Sequence, residues 1–515
     1  MPDFTPTLTR RGLMGLGLGA VAAWTLASCG TDDDGGSGSG GGAALSAAAI
    51  TLGSTAITSA IDPHAATSNV GRTYAINVFD SLVDFDGDGR IVASLATDWT
   101  RVDETTLELT LREGVTFHSG AAFDAQAVKA NVERILSGDP AYSLLVGRLG
   151  PISKVEVVDA RTVRVITSAP DPILLNRLTM IDIVDPATIG KEVTVETISG
   201  TGPFKVVGYK PDQEVRLERY ADAWQPSESI ATATLVAISD PSSLAIAVRA
   251  GEVDTAFGLA PDQVAQLQGT LDLETPSAGS CAICSLIPDA EPALADPRVR
   301  RALNMAINHE EFVEVGLGGY GEVSTGQLLQ PGYLGYDDSL EGFPYDPDGA
   351  KELLAEAGVT DLELPIVTTA FFKAQAEIVV GYLEAIGVKS RVELQDLSAF
   401  LGTLLSKSEF PLVYWQTDYF DLQDILSVTR FGPQQPGTQL HFENPRYAEL
   451  YQEATVELDD DKRAAAIKEM AGLLNEEAGV LFLGWPKLAY VHARDVDLLL
   501  GGESLINLQK VVRSA

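Results

Sequence analysis

The sequence predicts a mixed α/β protein folded as two α/β lobes. Runs in which apolar and polar residues alternate, as in 106–112, predict half-buried strands. Between them lie runs with apolar residues at helical spacing, as in 123–135, and no segment repeats at a fixed period. At 515 residues the chain is too long for one compact unit and indicates two or three packed units.

The first half of the chain contributes most of the predicted strands. These strands are 50–55, 106–112, two runs within 154–167, and 214–219. The predicted helices of this half are 73–82 and 123–135. Asp124 stands where an N-cap side chain would accept hydrogen bonds from the first free N–H groups of the second helix.

Helix-start signals are clearest in the second half. Asp296 before Pro297, and Asp346 before Pro347, place a capping carboxylate ahead of a proline at the first helical position. The predicted helices are 294–315, 345–358, 373–386 and 460–476, and the predicted strands are 388–394 and 410–413.

The N-terminus predicts export. Arg10 and Arg11 precede an apolar run, 12–27, that is shorter than a comfortable membrane span. This pattern is typical of a secretory signal, and both the twin-arginine and the general route stay open. Small residues before Cys29 resemble a bacterial lipobox, which predicts a signal peptide at 1–28 and lipidation of Cys29. The alternative is an uncleaved membrane anchor.

Residues 29–49 follow as a tether of Gly, Ser, Asp and Ala without apolar periodicity. Such a segment cannot bury a core, so we expect a flexible linker that spans a few tens of Å. Together these features place the protein at the cell membrane, lipid-anchored on the extracytoplasmic face.

The composition excludes several function classes. The chain has 72 acidic and 36 basic residues, for a net charge of −36, and such a surface repels nucleic acid. Three cysteines are too few for a disulfide framework, and five histidines argue against a histidine-rich metal site. No hydrolase signature and no Walker A loop is present. We therefore expect no enzyme, no cofactor and no metal.

Several stretches resemble one family, the solute-binding proteins of peptide and nickel ABC importers, called the extracellular family 5 binding proteins. The matching stretches are 80–90 with 94–99, 109–128, 200–205, 296–307 and 345–358. The resemblance implies a periplasmic-binding-protein-like clamshell of two lobes that closes over a solute and delivers it to the membrane permease. Its implied lobe I is 50–274 plus 486–515, with a subdomain inserted at about 86–199, and lobe II is 275–485.

The resemblance also implies a ligand site after the strand at 410–413. Peptide binders of this family pair an aspartate in a similar Trp-x-x-Asp stretch with the α-ammonium of the solute, and Asp418 matches it, with Asp421 as the alternative. The proline usual after the second acidic residue is replaced by Leu422, which puts the loop geometry in doubt. Trp415 and Tyr419 could form walls of the pocket or pack in the core. Further candidate ligand contacts are Thr417, His64 and Asn69.

A short or longer peptide is the favoured solute. Nickel is weaker because 415–421 holds no histidine, whereas opines, oligosaccharides and glutathione-like solutes stay open. A surface-anchored hydrolase on the same scaffold, or a peptide sensor or chaperone without transport, are the alternative functions.

Two further motifs have plain structural interpretations. The run 84–89 imitates a calcium loop, but its twelfth position is Leu95, so a hairpin turn is favoured. Cys281 and Cys284 lie in a stretch that resembles a family strand. Their Cα atoms would then be about 10 Å apart, too far for a disulfide, which predicts two buried thiols.

Overall fold

The computed structural model describes residues 48–65, 69–87, 89–277, 280–405, 409–417, 432, 440–500 and 505–514. These residues belong to one compact unit, Leu45–Ala515. Two large sheets organise this unit, and each contributes one wall of the cavity described below.

The first-lobe sheet has seven strands. In spatial order they are Asp272–Glu274, Tyr490–His492, Thr255–Phe257, Ala48–Ser54, Ile230–Ala237, Glu214–Arg219 and Phe204–Lys210. Ala48–Ser54 runs parallel to both of its neighbours, and the other pairings are antiparallel. Helices Pro241–Ala250 and Pro261–Leu267 contribute to the core on one face, and helix Asn69–Val78 to the core on the other. The sheet is therefore covered on both faces.

A smaller antiparallel sheet lies within the first half of the chain. Its strands in spatial order are Ala96–Asp103, Thr106–Leu111, Thr162–Thr167 and Ile152–Val157. Its helices are Ala125–Ile135, Ser143–Leu149 and Leu174–Leu178. Asp124 accepts hydrogen bonds from the N–H groups of Gln126 and Ala127, which confirms the predicted N-cap. The predicted hairpin is also confirmed, because Val83–Phe85 pairs antiparallel with Ile91–Ala93.

The second-lobe sheet has six strands. In spatial order they are Gly321–Glu322, Val480–Pro486, Cys281–Leu286, Leu412–Thr417, Ile366–Thr368 and Val392–Leu394. One face packs on helices Pro297–Met305, Pro347–Glu356 and Lys373–Ala385. The other face packs on helices Leu397–Leu405, Pro445–Val456 and Asp460–Glu476. Burial on both faces explains why Cys281–Leu286 is buried at every position.

The remaining elements are short. They are the 3₁₀ turns Pro140–Tyr142, Pro186–Thr188, Pro292–Ala295 and Ala370–Phe372, the helical turn His309–Glu311, the π-helical turn Phe312–Gly316, and the paired strands Val496–Asp497 and Val512–Arg513. No helix among the residues described has the length and the apolar composition needed to cross a bilayer.

The helix starts at Asp296 and Asp346 are confirmed, since each carboxylate accepts a hydrogen bond from an N–H of the first turn. The helix predicted within 294–315 is confirmed from Pro297 to Met305, but it does not continue to 315. Pro297–Met305 ends before Asn308, whose side chain accepts from the N–H of Glu311 and so caps a separate short helix. A local capping bond thus outcompetes continued helical periodicity.

Cys281 and Cys284 are confirmed as buried free thiols. Alternation along their strand places Cys281 in one core of the second lobe and Cys284 in the core on the opposite face. Burial raises the pKa of both thiols well above its usual value.

Candidate functional site

The described chain passes between the two large sheets at two adjacent places. The first passage includes 275–277 and Ser280, ahead of strand Cys281–Leu286, and the second, 487–489, leads out of strand Val480–Pro486. Ser277 and Lys487 form an antiparallel bridge, and the N–H of Leu488 donates to the carbonyl of Pro276 at 3.2 Å. Two connections that run side by side between lobes can act together as a hinge.

A cavity of about 380 Å³ lies beside these passages. The first lobe contributes the ends of two strands, with Ser54, Thr55, Phe257 and Gly258, and the start of helix Pro261–Leu267. The second lobe contributes Ser280, Gln375 and Gln416, among others. The volume lies within the range of about 300–1,000 Å³ that is typical of small-molecule sites.

The described walls are mostly apolar and nearly neutral. Apolar side chains come from Phe257, Leu259, Val264, Leu317, Phe371, Phe372 and Leu488. Phe371 is 75% exposed, so its ring is open to solvent at the cavity. Lys487 is the one charged side chain in the described lining, and its Nζ lies 2.6 Å from Glu322 Oε1. The described walls therefore offer no carboxylate to a bound cation.

A second contact joins the lobes at the edge of the cavity. The turn 317–320 of the second lobe lies against Pro261 of the first, and a Cβ on Gly318 would overlap the Pro261 ring. Tyr320 packs against the apolar core under helices Pro241–Ala250 and Pro261–Leu267. Its hydroxyl accepts a hydrogen bond from Gln268 Nε2 at 2.8 Å, and burial raises the pKa of the Tyr320 phenol. The lobes are thus in contact outside the two chain passages.

Trp415 belongs to the core and not to the wall of the cavity. It is 2% exposed, and its Nε1 donates to Ser285 Oγ at 2.8 Å. The strand predicted at 410–413 continues as Leu412–Thr417, and its alternation turns Trp415 inward. The next residue, Gln416, points to the other face of the sheet and lines the cavity. The predicted strand ended at 413, so it did not include Gln416.

His64 is also away from the cavity, so the predicted ligand contact is wrong for this conformation. Its side chain has no exposed surface. Nε2 lies 2.8 Å from the carbonyl of Asp182, and Nδ1 accepts from the Arg134 guanidinium at 2.9 Å. Arg134 also forms a buried ion pair with Asp62. This polar cluster joins the early loop to helix Ala125–Ile135 and has a structural role.

The other predicted ligand residues cannot be placed. Asp418, Tyr419 and Asp421 lie outside the described residues. Thr417 ends its strand and Asn69 begins its helix, but the described side chains do not include theirs.

The turn that begins at Gly200 lies away from the two passages between the lobes. It packs on the end of helix Asn69–Val78, where a Cβ at Gly200 or Gly202 would overlap the backbone of Val78. His118 holds this turn: Nδ1 accepts from the N–H of Gly200 at 3.3 Å, and Nε2 donates to the carbonyl of Gly202 at 2.9 Å. These two bonds require a neutral imidazole.

Acidification is expected to weaken the fold through His118. Burial and nearby Lys205 lower the pKa of His118 to about 4, below the unfolded value of 6.5. The unfolded chain therefore takes up a proton between pH 6.5 and 4 that the folded chain does not, and stability falls by up to about 1.4 kcal/mol per pH unit. Urea unfolding at several pH values gives the free energy of unfolding as a function of pH. Between pH 6.5 and 4, the slope of this plot should be smaller for His118→Gln than for the wild type, by the equivalent of about one proton. An unchanged slope would contradict this assignment.

Other groups also contribute to the acid response, among them His64 and Asp182. His64, whose pKa burial lowers to about 4, acts in the same direction as His118. Asp182, whose pKa burial raises to about 6, acts in the opposite direction, because the folded state binds its proton first as the pH falls. Comparing the variant with the wild type removes both contributions.

A second cavity of about 320 Å³ lies within the first lobe. Two of its four acidic lining residues are bound to side chains of the same lobe: Asp80 accepts from Thr201 Oγ1 and Trp224 Nε1, and Asp182 lies 3.7 Å from Arg72. Among the residues that the structure describes, no group of three or more His, Cys, Asp or Glu side chains could hold a metal ion.

Comparison with known proteins identifies the family. Residues 90–436 match the model of the bacterial extracellular solute-binding proteins, family 5 Middle. The glutathione-binding protein GsiB of Salmonella typhimurium is 30% identical over 352 residues, covering 65% of this chain and 67% of GsiB. An equivalent match to GsiB of Escherichia coli O1:K1 is 29% identical and covers 75% of this chain and 74% of that protein.

Solved structures agree on the fold. NikA from Brucella suis, in complex with Fe(III)-EDTA, superposes with a TM-score of 0.82 at 24% identity and covers 91% of this chain and 100% of its own. DppA from Helicobacter pylori, in complex with the peptide STSA, gives 0.76 at 22% identity, covering 92% and 99%. The predicted two-lobed α/β binding-protein fold is confirmed. The chain belongs to the bacterial extracellular solute-binding proteins of family 5 and acts as a solute-capturing component of an ABC importer.

Proposed function

We propose that this protein captures a short peptide in the cavity between its lobes and presents it to the permease of the importer. The observation that carries the proposal is the position of Gln416 in the cavity wall, two residues before Asp418. The apolar and amide-bearing walls suit the side chains and backbone of a peptide. The relatives support this solute class, since GsiB is named for glutathione and DppA was solved with a peptide.

The proposed role of Asp418 is to bind the α-ammonium group of the peptide. The described lining contains no carboxylate, so the ammonium needs an anionic partner from elsewhere. A buried ammonium without such a partner is costly, and a charge-assisted hydrogen bond to a carboxylate offsets that cost. Asp421 is the second choice, and Thr417 and Tyr419 are proposed to complete the same wall.

Calorimetry with a defined peptide tests the proposal. The wild type should bind tri-alanine with a free amino terminus and should bind N-acetyl-tri-alanine far more weakly. Equal affinity for the two would remove the ammonium from the recognition scheme. A panel of di- and tripeptides, glutathione included, in which no member binds or stabilises the protein would contradict the peptide assignment.

We further propose that the lobes rotate about the two connections that lead into strand Cys281–Leu286 and out of strand Val480–Pro486. Lobe I would then comprise 50–274 and 486–515, with the inserted subdomain at about 86–199, and lobe II would comprise 275–485. A solute that contacts both lobes favours the closed form by its differential affinity for that form. X-ray scattering should show a smaller radius of gyration with the peptide than without it.

The proposed location is the extracytoplasmic face of the cell membrane. We propose that residues 1–28 are removed, that Cys29 carries the lipid, and that 29–49 tether the binding unit to the membrane. Labelling with a radioactive fatty acid should mark the wild type and not Cys29→Ser. Label on both proteins would exclude Cys29 as the lipidated residue.

We also propose that the protein carries out no chemistry on its solute, in keeping with a family of binding proteins. Mass spectrometry of tri-alanine after prolonged incubation should return the intact peptide. Accumulating products would favour the hydrolase alternative.

A further inference from the structure

Two oxygen atoms in the cavity wall of the second lobe lack hydrogen-bond partners among the described residues: Ser280 Oγ and Gln375 Oε1. Both atoms are buried, and the Ser280 residue is 2% exposed. Ser280 stands immediately before strand Cys281–Leu286, and Gln375 lies in the first turn of helix Lys373–Ala385. Two separate elements thus bring unpaired oxygens to one cavity.

The main chain of Ser280 has a side-chain partner, although its hydroxyl has none among the described residues. Gln330 Nε2 donates to the carbonyl of Ser280 at 2.8 Å, and Gln330 Oε1 accepts from Ser277 Oγ at 2.5 Å. The structure therefore satisfies the neighbouring polar groups and leaves the Ser280 hydroxyl unpaired. A buried polar group without a partner costs free energy, and a bound solute that supplies one removes that cost.

We propose that Ser280 and Gln375 are specificity-determining residues that accept hydrogen bonds from N–H groups of the bound solute. The amide oxygen of Gln375 can only accept a hydrogen bond, so this atom favours an N–H donor of the solute over a carboxylate oxygen. Phe371 and Phe372, which line the same wall, supply apolar contact beside these acceptors. The inference rests on the proposed peptide function and specifies which part of the peptide meets the second lobe.

Ser280→Ala gives a readout that does not depend on the solute. Because Ser280 Oγ has no described partner, its removal should leave the melting temperature of the solute-free protein unchanged or raised. Ser285→Ala is the matched control at the other end of the strand, where the hydroxyl accepts from Trp415 Nε1. The control should lose a few degrees and keep its peptide affinity. A comparable loss of stability in Ser280→Ala would overturn the inference.

Binding measurements then test recognition with tri-alanine as the probe. Ser280→Ala and Gln375→Met should each weaken binding by roughly three- to tenfold, as the loss of one hydrogen bond predicts. Gln375→Glu, which keeps an acceptor, should bind at least as well as Gln375→Met. A tri-alanine analogue methylated at its amide nitrogens should bind the wild type more weakly, and at least one variant should discriminate less between the two peptides.

The outcomes separate this inference from the function on which it rests. Wild-type binding of tri-alanine with unchanged affinity in both variants overturns the inference and leaves the peptide function standing. Improved binding by Gln375→Met with loss in Gln375→Glu would show that this wall receives an anionic group instead. Failure of the wild type to bind any peptide of the panel overturns the proposed function, and the inference falls with it.

Discussion

Replacing Asp418 with asparagine is expected to weaken the binding of tri-alanine by two orders of magnitude or more. Removing one partner of a buried, hydrogen-bonded charge pair costs about 2–5 kcal/mol, and each 1.4 kcal/mol is a tenfold change in affinity. The described walls offer no substitute carboxylate, because Lys487 is their one charged side chain. Isothermal titration calorimetry measures the effect directly.

The blocked peptide and a neighbouring variant are the controls. N-acetyl-tri-alanine has no ammonium group, so Asp418→Asn should bind it about as well as the wild type does. Asp421→Asn should retain most of the affinity for the free peptide, and if it alone loses affinity the two aspartates exchange roles. Unchanged affinity after neutralising both would contradict the electrostatic part of the proposed function.

Gly318→Ala is expected to lower both the melting temperature and the affinity for tri-alanine, the latter by about tenfold. Gly318 has φ of +63°, where an alanine costs about 1 kcal/mol, and its new Cβ would overlap the Pro261 ring of the opposite lobe. Overpacking of this kind costs about 1–3 kcal/mol. The turn can relieve the overlap by moving away from helix Pro261–Leu267, which separates the lobes beside the cavity.

Gly319→Ala isolates the contribution of the contact between the lobes. Gly319 has φ of +78°, so the backbone cost is similar, but its Cβ would meet only Glu314 Oε2 at 3.6 Å. Gly319→Ala should therefore lose stability and retain peptide affinity. If the two variants lose the same affinity, backbone strain is the cause and the contact with Pro261 has no role in closure.

The sequence predicted those elements whose signals are local. Asp124, Asp296 and Asp346 cap helices because each carboxylate needs only the N–H groups of the next three residues. Strand 214–219 and helix 460–476 were predicted with their correct bounds because their patterns of apolar and polar residues are also local. The boundary at 413 failed because residues 412–415 of strand Leu412–Thr417 are buried on both faces, and a buried strand loses the alternation that marks its length.

The cavity depends on contacts between distant parts of the chain, which no local pattern encodes. Trp415 packs in the core, which was one of its two predicted positions. Gln416, for which no role was predicted, lines the cavity because the strand that pairs with Cys281–Leu286 continues past 413. His64 meets Arg134, which is 70 residues away in the sequence, and so becomes a buried structural group. Ser280 and Gln375 carry no motif. What distinguishes them is that each has a buried oxygen without a hydrogen-bond partner among the described residues, which is a property of the folded protein.

The placement of Cys281 and Cys284 on opposite faces of one strand affects how the protein tolerates oxidants. A folded chain cannot join these thiols without breaking the pairing of Cys281–Leu286 with both neighbouring strands. Their raised pKa values also leave little thiolate to react with a peroxide. Completion of the second-lobe sheet therefore ends the interval during folding in which these sulfurs can be damaged.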